Sequence, residues 1–322
     1  MVDINDERIR MLVKISQLYY EEGLNQQDIA QRLGISRPHV SRMLTAARTE
    51  GIVQISIRNP YSMEQEVERQ LVEKFGIRDA LIVEVQDNDE VTRTMQLGRA
   101  CAALLESMVK DNDIVGIMAG RSVQSLASAT EYYSRNNLQF VSLVGGYGAE
   151  GATWHANANT STMAEKLRSK YWLLHAPAVV DSEEAAEFLK KEPQIAMVLQ
   201  KAECCTIAVV GIGQVSGEAT IMQAGAFRLD ELQEVRDLGA VSNICASFLG
   251  SDGRIIPYQS SRRMIGISAQ HLRGIPNVIG IAGGMEKVEA IAAALNGQWI
   301  DILVTDLATA QAVLALESKR VI

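Results

Sequence analysis

Asn25-Gln26-Gln27-Asp28-Ile29-Ala30-Gln31-Arg32-Leu33-Gly34-Ile35-Ser36-Arg37-Pro38-His39-Val40-Ser41-Arg42-Met43-Leu44 carries two short helical patterns with a break between them. Asn25 suits the N-cap of the first. Gly34 ends it in a tight turn, and Ser36 is placed to cap a second helix that tolerates Pro38 in its first turn. Two helices joined by a turn of this length form a helix-turn-helix, whose second helix reaches a DNA major groove. At about 100° per residue, Val40, Leu44 and Ala47 line one side of that helix, with Met43 at the edge; this side packs on the preceding helices. Pro38, Arg42, Thr45 and Thr49 lie opposite, flanked by His39 and Ser41. Arg42 is the leading candidate for a base contact, because a guanidinium makes two hydrogen bonds to guanine. Arg37 and Arg48, on the flanks, suit phosphates, which position without specifying sequence. Gln26 and Gln27, at the first helix N-terminus, suit phosphates too. With Ser36 at the helix entry, the expected DNA-facing set is Gln26, Gln27, Ser36, Arg37, Pro38, His39, Ser41, Arg42, Thr45 and Arg48.

Charge follows the same division. The chain has 322 residues and a net charge of -8, which by itself argues against nucleic acid. Residues 1–58, however, hold eight Lys/Arg against seven Asp/Glu, and within 37–58 there are four arginines and one acid, Glu50. Positive charge sits where a recognition helix would face DNA. Residues 7–22 read as a bracing helix with the apolar stripe Ile9, Leu12, Val13, Ile15, Leu18 and Tyr19. Gly51 ends the recognition helix, and Ile52–Ile57 alternates as the strand of a wing until Asn59-Pro60 stops it. Residues 62–75 form a linker helix whose stripe Met63, Val67, Leu71 and Phe75 packs on the next domain or pairs two chains. The expected domains are 1–58, a linker at 59–78, and 79–322.

From about 79 the pattern becomes strand, helix, strand. Strands are expected at Ala80–Val85, Ile114–Met118, Phe140–Val144, Trp172–Ala176, Thr206–Gly211, Val278–Ala282 and Ile302–Thr305. Helices are expected at 91–110, 122–134, 157–169, 182–190, 194–203, 286–296 and 307–317. Short apolar strands alternating with helices imply a mainly parallel sheet covered on both faces, with ligands at the carboxyl ends of the strands.

Those strand ends carry groups suited to an anionic, polyhydroxylated ligand. Ala119-Gly120-Arg121-Ser122 opens a helix whose N–H groups and dipole suit a phosphate, with Arg121 and Ser122 assisting. Gly145-Gly146-Tyr147-Gly148 lets backbone approach a ligand, as do Gly211-Ile212-Gly213 and Gly283-Gly284. Lys287 is placed as a phosphate counter-charge, and His155, Asn157 and Asn159 can reach sugar hydroxyls. None of the glycine sets is a full dinucleotide fingerprint or a P-loop, and Cys101, Cys204, Cys205 and Cys245 lack zinc-ligand spacing. No cofactor and no metal are therefore expected. The cysteines read as buried free thiols of a reducing cytoplasm. No apolar run approaches the roughly 20 residues of a membrane span, and the acidic start, Asp3, Asp6 and Glu7, does not resemble a signal peptide.

Taken together these segments resemble the SorC/DeoR family of bacterial sugar-responsive transcription regulators. The resemblance rests on Ile15–Leu24, the helix-turn-helix and Gly51-Ile52-Val53. In the second half it rests on Gly145-Gly146, Val209–Gly213, Gly239–Ile244, Gly280–Gly284 and Leu303–Asp306. It implies an α/β chain: an N-terminal winged helix-turn-helix domain plus a C-terminal Rossmann-like effector domain similar to sugar-phosphate isomerases and deaminases. It also implies a phosphorylated sugar as effector, a homodimer or homotetramer, and a palindromic operator. The effector pocket it implies draws on Gly120, Arg121, Ser122, Gly145, Gly146, Tyr147, Asn243 and Lys287, to which the residue reading adds His155 and Asn157. Where many relatives have Gly-Asp, this chain has Ser242-Asn243, replacing an acceptor with a group that also donates. The expected function is a cytoplasmic regulator of a carbohydrate-use operon, without enzymatic activity or catalytic residues. An isomerase-like enzyme with an accessory DNA-binding domain is the alternative, since fold does not decide function. His155, Glu286 and Asp306 are its only acid–base candidates, and the last two read equally well as helix N-terminal charges. A DNA-binding scaffold without effector is a third reading.

Overall fold

Three helices, α1 (Ile4–Tyr20), α2 (Gln26–Leu33) and α3 (Arg37–Thr49), form the described part of the first of two units, Met1–Pro60 and Tyr61–Ile322. The structure is a computed structural model and describes residues 4–53, 62–85, 89–147, 152–217, 219, 228–245 and 247–316. In the first unit Ile15 and Leu18 of α1, Ile29 and Ala30 of α2, and Val40 and Leu44 of α3 make one small core. Ile9 and Val13 are exposed at 40% and 37%, contrary to the expected stripe. A three-helix core is too narrow to cover a stripe that wide. The expected wing strand falls largely on residues 54–61, outside the described residues; before it, Gly51 has φ +77° and Val53 N–H donates to the Ala47 carbonyl.

The second unit begins with α4 (Ser62–Phe75). Val67 and Leu71 pack into its core, while Met63 stays exposed. There follow β1 (Asp79–Val83), α5 (Glu90–Met108), β2 (Ile114–Ile117), α6 (Arg121–Ala129), β3 (Gln139–Ser142), α7 (Ala156–Lys166), β4 (Lys170–Trp172), α8 (Glu183–Lys191), α9 (Pro193–Glu203) and β5 (Ile207–Gly211). Next come β6 (Gly213–Gln214), α10 (Leu229–Asp237), β7 (Ala240–Ile244), β8 (Ser247–Gly250), β9 (Ile255–Ile256) and α11 (Ala269–Gly274). The last elements are β10 (Val278–Ile281), α12 (Val288–Asn296), β11 (Ile302–Asp306) and α13 (Leu307–Ala315).

Among the described residues, seven strands pair in parallel in the order β1-β11-β10-β5-β2-β3-β4. Both faces are covered, as the continuous apolar runs require. Along β5, Ile207 and Val209 enter one core while Ala208 and Val210 enter the other. Two strands are shorter or earlier than the apolar runs suggest. β3 ends at Ser142, since Gly145 N–H donates to the Ile265 carbonyl and Val144 bridges Gly266. β4 covers Lys170–Trp172 and not Trp172–Ala176, because the N–H and carbonyl of Leu174 both bond the Asn157 side chain. α6 stops at Ala129, five residues short of the expected end, where Thr130 closes it with N–H and hydroxyl bonds to the Leu126 carbonyl.

A second, antiparallel sheet, β6-β7-β8-β9, has no counterpart in the sequence reading. Its strands run two to five residues, and β7 buries the polar Ser242 and Asn243; neither leaves a period-2 apolar signal. Cys101, Cys205 and Cys245 are buried, and burial pushes each thiol up to about 12. Cys204 is exposed, against expectation, because it follows the last turn of α9 and only its neighbour turns inward.

α5 and α6 cross closely at Gly98, where a Cβ would fall 2.6 Å from the Ser125 carbonyl carbon. Gly98→Ala is therefore expected to lower the stability of the second unit by about 1–3 kcal/mol through overpacking, measured by denaturant unfolding of the purified chain.

Candidate effector cleft and DNA-facing helix

The Asn25 side chain accepts from the Gln27 and Asp28 N–H groups at 2.9 and 3.0 Å, capping α2, and Gly34 ends that helix with φ +65°. The Gln27 N–H is thus already bonded, so only its side chain is available to a phosphate. Ser36 stands at the N-cap of α3 but makes no side-chain cap bond. Pro38 has no N–H to offer, and the His39 N–H goes to the Ser36 carbonyl at 2.9 Å. Val40, Leu44 and Ala47 are buried; Ser36, Arg37, Pro38, His39, Ser41, Arg42, Thr45 and Arg48 are exposed, as is Gln27, while Gln26 is half-buried. The Thr45 hydroxyl donates to the Ser41 carbonyl at 3.0 Å, leaving its methyl and lone pairs outward. Arg8 grips Glu50 with two hydrogen bonds of 2.9 and 2.5 Å and holds that carboxyl below the usual range. The only acid within 37–58 is thereby neutralised at the end of α3.

In the second unit the chain leaves β2 toward β3 and β4, whereas β5 leads the opposite way to β10 and β11. Strands β2 and β5 are neighbours, so the covering connections diverge above their carboxyl ends, the place where such sheets bind ligands. A cleft of about 570 Å³ opens there, lined on the strand side by Met118, Ala119, Gly211 and Ile212. Gly120, Arg121, Ser122, Tyr147, Asn243 and Lys287 all reach it.

Gly120 has φ +132°, a conformation costly for other residues, and its N–H is spent on the Trp154 carbonyl at 2.9 Å. α6 then begins without a side-chain cap, so the N–H groups of its first turn face the cleft end with the positive pole of the helix. Three cations stand around this end. Arg121 lies 3.7 Å from Glu90 and Arg93 3.9 Å from Glu286, both close to the limit of an ion pair. Lys287 is half-buried, and burial pushes its ammonium below the ordinary lysine range; nearby Arg93 and Arg121 push the same way, against Glu286 and Glu90. Asn243, also lining the cleft, donates its amide to the Ser247 carbonyl at 3.3 Å, which leaves its oxygen as an acceptor.

Five expected residues lie elsewhere. Gly145 and Gly146 pair with protein: their N–H groups donate to the Ile265 and Ala176 carbonyls at 2.9 and 2.8 Å. Asn157 spends its amide on Leu174 at 3.1 and 3.0 Å. His155 packs edge-on against Trp154, with centroids 4.9 Å apart, and its Nε2 is buried. Asn159, fully buried, donates to the Met118 and Trp154 carbonyls at 3.2 and 3.3 Å. Arg93, Glu90 and Trp154 reach the cleft without having been expected there. Arg93 lies inside α5, with no glycine beside it to mark a strand end; an aromatic residue following a glycine-rich loop could have drawn attention to Trp154. Asp306 is spent as a helix cap, accepting from Thr309 N–H at 2.9 Å and Gly284 N–H at 3.1 Å.

Residues 59–315 match the Sugar-bind family of sugar-binding domains, and residues 10–65 match Crp-like helix-turn-helix domains. The deoxyribonucleoside regulator of Bacillus subtilis is 30% identical over 306 residues, spanning 95% of this chain and 97% of that protein. The sorbitol operon regulator of Klebsiella pneumoniae is 30% identical over 312 residues, spanning 96% and 99%. The crystal structure of that full-length regulator, SorC, matches with a TM-score of 0.74 at 30% identity over 96% of this chain and 99% of the other. The chain belongs to the SorC/DeoR family of transcriptional regulators, in which a DNA-binding helix-turn-helix is joined to a sugar-binding domain.

Asn157 acts on the fold and not on the cleft. Asn157→Ala is expected to lose about 1–3 kcal/mol of stability by stranding the Leu174 backbone groups. Thermal unfolding with and without inorganic phosphate should show that loss with an unaltered phosphate effect.

Proposed function

We propose that this regulator senses a phosphorylated sugar in the strand-end cleft and transmits its binding to the recognition helix α3. The observation that carries the reading is the uncapped N-terminus of α6 beside Arg93, Arg121 and Lys287 at the switch between β2 and β5. A phosphate brings acceptors and negative charge to three cations, of which Arg121 and Arg93 otherwise face Glu90 and Glu286 at 3.7 and 3.9 Å. Hydroxyls of the sugar then meet Asn243 and Ser122. The printed names of the relatives, a deoxyribonucleoside regulator and a sorbitol operon regulator, point to the same class of effector. Binding without turnover is supported by Asp306 being engaged as a cap and by His155 lying off the cleft.

The protein acts in the cytoplasm as a homodimer or homotetramer on a palindromic operator. Two recognition helices must meet half-sites about 34–36 Å apart, so a small change in how second units pack alters DNA affinity. A coupling of roughly 1–3 kcal/mol changes occupancy about 5–150-fold. Arg42 reads a base, with Ser41, Thr45 and His39 beside it. Arg37, Arg48, Gln26 and Gln27 hold phosphates.

Two substitutions separate the halves. Arg42→Ala should weaken operator binding by about 1–3 kcal/mol while leaving effector binding intact. Lys287→Ala should weaken effector binding by about 1.5–3 kcal/mol and leave effector-free DNA binding intact. Gel-shift and calorimetric titrations would show both; an intact effector response in Lys287→Ala would sink the assignment.

Titration of Lys287 adds a pH signature. Its lowered pKa means the free protein loses this charge earlier than an ordinary lysine as pH rises, whereas a bound anion favours the charged form. Effector affinity should therefore fall as pH rises through the alkaline range, and Lys287→Arg should flatten that fall. Calorimetry at stepped pH values checks it.

A further inference from the structure

One wall of the cleft is aromatic. Trp154 and Tyr147 both line it, their ring centroids 6.1 Å apart and their planes inclined by 34°. Tyr147 is almost fully covered, so Trp154, half-buried, is the ring of the pair that still meets solvent. Its position is over-determined. The Trp154 carbonyl accepts from the Gly120 N–H at 2.9 Å and from the Asn159 amide at 3.3 Å. His155 stands edge-on to it at 81° and to Tyr147 at 69°, centroids 4.9 and 6.5 Å away. The indole is thus braced on one side by an imidazole and tied, through one backbone hydrogen bond, to the residue that opens α6.

A braced apolar face whose own carbonyl holds the Gly120 N–H, at the start of the anion seat, calls for a ligand with matching parts. A ring-closed sugar has them: axial C–H groups gathered on one face, hydroxyls around the rim, and a phosphate held out on an ester arm. An open-chain polyol phosphate has no such face, and ordering its free rotors costs conformational entropy that the ring does not lose. The neutral oxygen of Asn243 suits rim hydroxyls, which donate to it. From this juxtaposition we infer that Trp154 is a stacking platform that selects ring-closed sugar phosphates over their open-chain counterparts, with His155 as its positioning residue. The inference rests on the phosphosugar reading of the same cleft.

The test uses the full chain and matched pairs: aldopentose and aldohexose phosphates against the corresponding alditol phosphates, titrated calorimetrically, with inorganic phosphate as control. The wild type should bind the best cyclic member roughly tenfold more tightly than its alditol partner. Trp154→Leu should erase that preference by weakening the cyclic ligand alone, and Trp154→Phe, which retains a flat face and replaces Trp154→Leu should the latter fail to fold, should restore much of it. The sequence has three tryptophans, and the other two, Trp172 and Trp299, lie off the cleft against Lys201 and Arg273. A ligand-induced change in indole fluorescence should therefore vanish in both variants. Equal or tighter binding of the alditol, or a preference that survives Trp154→Leu, overturns the stacking role. Failure of every cyclic member while inorganic phosphate still binds overturns it as well and leaves the anion seat standing. Loss of phosphate binding too overturns the proposed function itself.

Discussion

A parallel sheet cannot be roofed where its connections part company. The N-terminal ends of α6 and of the turn leading to α12 are both brought to the rim above β2 and β5, and a cleft opens between them. Everything that gives the cleft its chemistry follows from that gap. Main-chain N–H groups are left without intrahelical partners, cations gather near them, and strand-end glycines keep the floor low enough to hold a ligand of some size.

Electrostatics at the gap is balanced. Burial is what chiefly pushes the Lys287 ammonium below the ordinary lysine range, and the neighbouring Arg93 and Arg121 add to it. Glu90 and Glu286 offset it from the exposed side, at distances where an ion pair contributes little and can be exchanged. A corner held in this way is receptive to a dianion, because the anion brings stronger bonds than the carboxylates it competes with. The aromatic wall formed by Trp154 and Tyr147 carries no charge.

The first unit solves a simpler problem. Six buried aliphatic side chains hold three helices, and the outward face of α3 is left to arginines and short hydroxyl-bearing side chains. Pairing with Arg8 offsets the Glu50 carboxylate, the one acid in that stretch, which favours approach to a polyanion.

Sequence alone determined what depends on neighbours along the chain. Asn25, Gly34 and the Val40–Leu44–Ala47 stripe carry the helix-turn-helix in their spacing, since capping, turning and a 3.6-residue period are local properties. The apolar runs of β2, β5, β10 and β11 likewise announce a sheet buried on both faces, and Gly120-Arg121-Ser122 a helix N-terminus behind a strand. Tertiary structure decided which strand ends meet. It placed Arg93 of α5 beside Glu286, almost two hundred positions later; it turned Gly145 and Gly146 toward Ile265 and Ala176; and it spent Asn157 on Leu174. Glycine, asparagine and histidine look the same in sequence whether their polar groups await a ligand or a distant stretch of backbone. Only the folded chain reveals which bond is already made, because a buried donor or acceptor takes the partner that packing brings within reach.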